Sequence, residues 1–201
     1  MTVLRRVSLS TGITMAVAEA GPVDAPPVIL LHGFPESHRT WAKLVPLLGD
    51  RFRLIMPDLR GFGQSDRPQE VEAYTMDTLV ADLFALADAL GVDRFALVGH
   101  DWGGAVAWAA ALRGHPRIER LAIINSPHPW IFQKSLVEDA SQRAASQYMN
   151  AFRTPGARMA SVNGSSGSRS RCASPSTSST ARSSAPASIG MEAPASSCKS
   201  A

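Results

Sequence analysis

Asp101 stands in Gly99-His100-Asp101-Trp102-Gly103-Gly104, between the apolar run 95–98 and the alanine-rich run 105–112. A charge in so apolar a stretch is costly unless it has a partner or a task. Its spacing is that of a G-x-nucleophile-x-G turn between a strand and a helix. The glycines allow the tight turn, the central side chain is made to project, and the helix start behind it favours negative charge. Serine, the usual occupant, attacks acyl carbon once a base has taken its proton. An aspartate, ordinarily with a pKa of about 3.9, is ionised already. Its attack on an ester would give an unstable anhydride. Its attack on an sp³ carbon bearing a leaving group gives a stable alkyl ester, which water activated by a histidine base must then hydrolyse. Asp101 therefore points to displacement at alkyl carbon, on an epoxide or a carbon–halogen bond. The plainer alternative is that Asp101 only caps the helix beginning near Gly103.

The elements around Asp101 are legible from periodicity. Residues 7–21 alternate as a β-hairpin turning near Thr11–Gly12. The runs 26–33, 52–59, 95–100 and 120–127 are short and apolar, as buried parallel strands should be. Trp41 to Leu48 reads as a short helix. Residues 75–92 read as a long amphipathic helix, with Leu79, Leu83, Leu86 and Leu90 on one face and Gly91 as its stop. Residues 103–114 read as a helix apolar nearly all round, hence buried. Strands alternating with helices after a hairpin predict an α/β fold with a mostly parallel sheet. Sites in such sheets lie beyond the carboxyl ends of the strands. The polar clusters HGFPES, DLRGFGQSD, HDWGG and NSPHP all fall there.

Residues 26–160 resemble the α/β-hydrolase superfamily and, within it, the epoxide hydrolases. The resemblance is carried by LLHGFPES (30–37), PDLRGFGQSDRP (57–68), VGHDWGG (98–104) and INSPHP (124–129). It implies an α/β-hydrolase fold, here the N-terminal part of the sheet and the start of a helical cap. It implies Asp101 as nucleophile and the backbone N–H groups of Phe34 and Trp102 as an oxyanion hole. It also implies that Phe34 and Trp102 line the substrate site. Tyr148, in YMNAFRTPG (148–156), resembles a cap tyrosine that donates to the epoxide oxygen and touches substrate; a half-buried cap tyrosine is the alternative. Haloalkane dehalogenases share the Asp–Trp turn but usually carry Asn at the place of Phe34, so Phe34 tilts the reading toward a small apolar epoxide rather than a haloalkane. His32 is expected to make a structural hydrogen bond rather than act as a base. The glycines of residues 61–65 lack the spacing and lysine of a phosphate loop. This chemistry calls for no cofactor and no metal.

Composition divides the chain. After Met159 there is no Leu, Phe, Tyr or Trp, and Ser, Ala, Arg and Pro dominate. Such a segment buries too little apolar surface to offset its chain entropy, about 1–2 kcal/mol per ordered residue. The expected division is 1–126 as the hydrolase core, 127–160 as the start of the cap and 161–201 as a disordered tail. The tail has the composition of a GC-rich gene read in the wrong frame; a frameshift is the leading account and a genuine disordered tail the second. The family's catalytic histidine, the acid that orients it and a second tyrosine belong to a part not visible here. The expectation is therefore a hydrolase fold without turnover, with a non-catalytic remnant as the alternative. Arg169, Arg171, Arg182 and Lys199 against Glu192 give the tail +3, which accounts for the whole net charge of +3. The core is near neutral, which argues against a nucleic-acid partner. Cys172 and Cys198 lie in the tail and form no metal or disulfide pattern. Ser8, Ser10, Thr11 and Gly12 interrupt any signal-peptide core, and no apolar run approaches a membrane span. A cytoplasmic enzyme without membrane contact is the default expectation; nothing in the sequence sets an oligomeric state.

Overall fold

The computed structural model describes residues 2–147 and Met149. The expected cap residue Tyr148, most of the Tyr148–Gly156 motif and the tail lie outside the described residues. The chain divides into a unit Met1–Ala157 and a unit Arg158–Ala201, and the second lies wholly outside them.

Six strands form one sheet: β1 (Val3–Ser8), β2 (Thr14–Ala20), β3 (Pro27–Leu31), β4 (Arg53–Pro57), β5 (Phe95–His100) and β6 (Ile118–Ile124). Their order is β1-β2-β4-β3-β5-β6. β1 and β2 are the antiparallel hairpin, and β2 joins β4 antiparallel. β4, β3, β5 and β6 run parallel. The hairpin turns where Gly12 takes φ +84°, with its N–H on the Leu9 carbonyl.

β3 shows why the parallel runs are apolar on both faces. Ile29 and Leu31 pack on one side with Leu79, Leu83, Leu86 and Val106, while Val28 and Leu30 pack on the other with Trp41, Leu54 and Met56. The first side is covered by α2 (Met76–Ala89) and α3 (Trp102–Leu112). α2 starts where the Thr75 hydroxyl accepts the Thr78 N–H. It stops in a paired bond set: Gly91 N–H to the Asp88 carbonyl and Val92 N–H to the Ala87 carbonyl, with Gly91 at φ +63°.

Two helix readings change. Residues 41–48 are not one helix but a 3-10 segment, His38–Lys43, followed by the single turn α1 (Val45–Leu48). The Leu44 N–H bonds to Trp41 three residues back, and Pro46, in the first turn of α1, has no N–H to continue the ladder. α3 is buried on one face only. Gly103, Gly104, Val106, Ala107 and Ala110 face the sheet, whereas Leu112 is 57% exposed. After β6 come α4 (Pro129–Glu138) and α5 (Ala140–Ala145), neither with a buried residue. No helix among the described residues is long and apolar enough to cross a membrane.

Candidate active site

The parallel strands all end at one edge of the sheet, and Asp101 sits there between β5 and α3. Its backbone takes φ +50° and ψ −114°, outside the ordinary wells. Holding a non-glycine residue so costs about 1–3 kcal/mol. The surroundings enforce it: Asp101 N–H donates to the Ile124 carbonyl at 3.0 Å, Gly103 N–H to the His32 carbonyl at 3.0 Å, and Ala105 N–H to the Asp101 carbonyl at 3.1 Å. A Cβ on Gly99 would stand 2.8 Å from the Ala107 Cβ, and one on Gly103 would run into the Leu31 carbonyl. Strand and helix approach this closely only because both flanking residues are glycine.

Although Asp101 occupies the cap position of α3, its side chain makes no capping hydrogen bond. Its Oδ1 instead accepts the backbone N–H of Phe34 at 2.9 Å. The capping alternative therefore fails, and the carboxylate faces the loop after β3. Gly33 makes room for it, since a Cβ there would lie 2.7 Å from Asp101 Cβ. Phe34 and Trp102 are each 37% exposed beside it. Phe34 also packs edge-on against Phe62 at 6.2 Å.

His32 is fully buried and locks the loop. Its Nε2 accepts the Leu59 N–H at 3.0 Å, which puts the proton on Nδ1, 2.8 Å from the Gly33 carbonyl oxygen. Burial lowers the His32 pKa below its ordinary value, against the opposing pull of the Gly33 hydrogen bond. The imidazole is thus a neutral strut, as its sequence position suggests.

The other histidines also have partners. His38 Nδ1 lies 2.7 Å from Asp58 Oδ1, and His100 Nδ1 lies 3.2 Å from Glu36 Oε2. His115 stacks on Phe84 at 3.8 Å, and His128 Nδ1 accepts the Trp130 N–H. Among the described residues no histidine hydrogen-bonds the Asp101 carboxylate. Sequence reading passed over Glu36 and His100, although both stand inside the motifs HGFPES and GHDWGG. It also missed the buried pair Arg60–Asp82, whose guanidinium donates from Nε and Nη2 to the two carboxylate oxygens at 2.7 Å each. Neither pairing has a local pattern that could reveal it.

Known proteins share this arrangement of chain. Residues 26–193 match the family described as alpha/beta hydrolase fold, a range running past Met159, where the motifs end. Over 145 residues the chain is 39% identical to Epoxide hydrolase 3 of Xenopus tropicalis, covering 72% of this chain and 40% of that protein. A solved structure described as novel epoxide hydrolases of the alpha/beta hydrolases superfamily, from metagenomes of hot environments, is 55% identical with a TM-score of 0.74. It covers 77% of this chain and 52% of that one. A mutant epoxide hydrolase from Bacillus megaterium, complexed with its product, a naphthyloxy-propane-1,2-diol, is 29% identical with a TM-score of 0.71, covering 75% and 52%. The chain thus spans between 40% and 52% of the length of these three proteins.

Proposed function

The chain belongs to the alpha/beta hydrolase fold family, and from that premise we propose that its site is of the epoxide-opening kind, with Asp101 as the nucleophile. The observation that carries this reading is the Asp101 carboxylate on the strained strand–helix turn, with Oδ1 on the Phe34 N–H rather than on its own helix. With Oδ1 so held, Oδ2 attacks an epoxide carbon. A C–O bond of the ring breaks as the ester C–O bond forms, and the ring oxygen leaves as an alkoxide that takes up a proton. Tyr148 is the side chain that resemblance assigns as donor. Water then adds to the ester carbonyl carbon and gives its proton to a base. The oxyanion forms where the Phe34 N–H already points, joined by the Trp102 N–H at the start of α3. Collapse releases a vicinal diol and restores the carboxylate. Similarity to a relative solved with its diol product supports this substrate class.

Phe34 and Trp102 offer apolar surface for a small apolar epoxide. The first half-reaction needs only groups assigned above. The second needs a base, and among the described residues no histidine hydrogen-bonds the Asp101 carboxylate, whose observed partner is the Phe34 N–H. The 201-residue polypeptide is therefore expected to trap epoxide as an ester without sustained turnover. The test is intact-mass and peptide mapping after incubation with an aryl glycidyl ether. The expected result is one adduct per chain, on Asp101, absent in Asp101→Asn. Halide release from haloalkanes with epoxides untouched overturns the substrate class. Many turnovers of diol per chain overturn the missing base.

A further inference from the structure

We propose that the buried Arg60–Asp82 ion pair positions the Phe34 amide against the Asp101 carboxylate, acting through His32. The inference rests on reading Asp101 as the nucleophile, and it adds two residues, neither of which touches the reacting atoms. Arg60 is 4% exposed and Asp82, in the middle of α2, is 2% exposed. The pair is bidentate, and the Thr11 hydroxyl donates a third hydrogen bond, 2.5 Å long, to Asp82 Oδ1. An ion pair in such a place rarely stabilises a fold more than apolar side chains of the same volume would. What the fork geometry provides is direction, because it sets the backbone at residue 60 relative to α2.

That direction is passed on through one hydrogen bond and one peptide plane. The residue before Arg60 is Leu59, itself buried, and its N–H donates to His32 Nε2. The loop presses on His32 a second time through Phe62, edge-on at 5.3 Å. With Nε2 occupied, the His32 proton resides on Nδ1 and is donated to the Gly33 carbonyl. The Gly33 carbonyl and the Phe34 N–H belong to one planar peptide unit. Holding the oxygen on one side therefore fixes where the N–H points on the other, and it points at Asp101 Oδ1. A tilt of that plane moves the backbone donor on the Asp101 carboxylate. Displacement by about 1 Å in such a constellation can cost on the order of a hundredfold in rate.

The experiment compares the full chain with Arg60→Lys, Asp82→Asn and the milder Thr11→Val, and uses Val80→Ala, buried on the same helix, as a core change off the route. Two quantities are read: the amide resonance of Phe34 with the ring nitrogens of His32, and the single-turnover rate of ester formation at saturating aryl glycidyl ether. The expected result is that Arg60→Lys and Asp82→Asn shift the Phe34 and His32 resonances and slow ester formation about tenfold or more in folded protein. Thr11→Val shifts the same resonances less. Val80→Ala lowers the melting temperature while leaving resonances and rate in place. Variants that lose thermal stability yet keep both resonances and rate overturn the proposal. If Arg60→Lys and Asp82→Asn fail to fold, the Thr11→Val resonances decide it alone, for or against. Absence of any ester on the unaltered chain overturns the nucleophile reading, while the Phe34 and His32 resonances still decide the positioning route.

Discussion

β3 and β6 are both parallel strands rich in Ile and Leu, yet Leu30 is fully buried and Ile124 is 42% exposed. β3 is paired on both edges, by β4 and β5, and its two faces lie in two core clusters. β6 pairs with β5, and no strand pairs with its other edge among the described residues. The same contrast continues beyond the strands. The loop after β3 is held by His32, Gly33 and Asp101, whereas α4 after β6 presents Trp130, Ile131 and Val137 to solvent. Sequence and position agree here: β3 has no charged residue and lies inside the sheet, whereas β6 carries Glu119 and Arg120 and ends the strand order. The proposed nucleophile stands at the end of the strand between them, supported from the β3 side by the Phe34 amide and from the β6 side by the Ile124 carbonyl.

The largest effect should come from the residue that both sides support. Asp101→Asn keeps the shape but removes the nucleophile, and ester formation should fall by at least about 10⁴-fold, read by mass after single-turnover incubation. A retained adduct on another residue would detach the chemistry from the turn. Next comes Leu30→Ala in β3, which should cost about 2–5 kcal/mol in urea unfolding, since the site is paired and covered on all sides and can collapse little. Gly33→Ala, which places a methyl group 2.9 Å from Asp101 Oδ1, should slow ester formation about a hundredfold while far-UV circular dichroism stays unchanged.

A smaller effect should follow pH through His32. Its pKa is held down by burial in the folded chain and sits near 6.5 in the unfolded one, so the unfolded chain takes up the proton first as pH falls. Stability should be undiminished above about pH 6.5 and should drop progressively below it, a drop that His32→Asn reduces. Unfolding midpoints across pH 7.5 to 5 give the comparison. Equal slopes in both proteins would remove His32 as the strut of the β3 loop. The smallest effect should be Ile124→Ala in β6, about 1 kcal/mol or less. If it costs as much as Leu30→Ala, the edge of β6 is covered in solution and the contrast between the strands disappears.

Much of this fold could be read without coordinates, because its elements report themselves locally. Two-sided apolar runs stopped by Gly or Pro mark β3, β4, β5 and β6, and the leucine spacing with Gly91 marks α2 and its end. The glycines around Asp101 announce a strand–helix turn, and the residue stands at φ +50° there. Local reading fell short once through hydrogen-bond closure within a segment and once through cover that other elements decide. Trp41–Leu48 divides because hydrogen bonds close at three residues and Pro46 cannot carry them further. α3 is apolar all round in sequence, but its exposure depends on what stands beside it, and Leu112 is left 57% exposed.

The sequence by itself determined the α/β alternation, the turn that carries Asp101 and the hairpin. Each depends on residues within a few positions of one another, where periodicity and glycine placement act directly on backbone geometry. Tertiary structure alone decided the strand order, the direction of the Asp101 carboxylate toward Phe34 across 67 residues, and the pairings of Arg60 with Asp82 and His100 with Glu36 across 22 and 64. The physical reason is that a hydrogen bond needs its donor and acceptor about 3 Å apart, and that distance is set by which strands become neighbours, which no local pattern encodes.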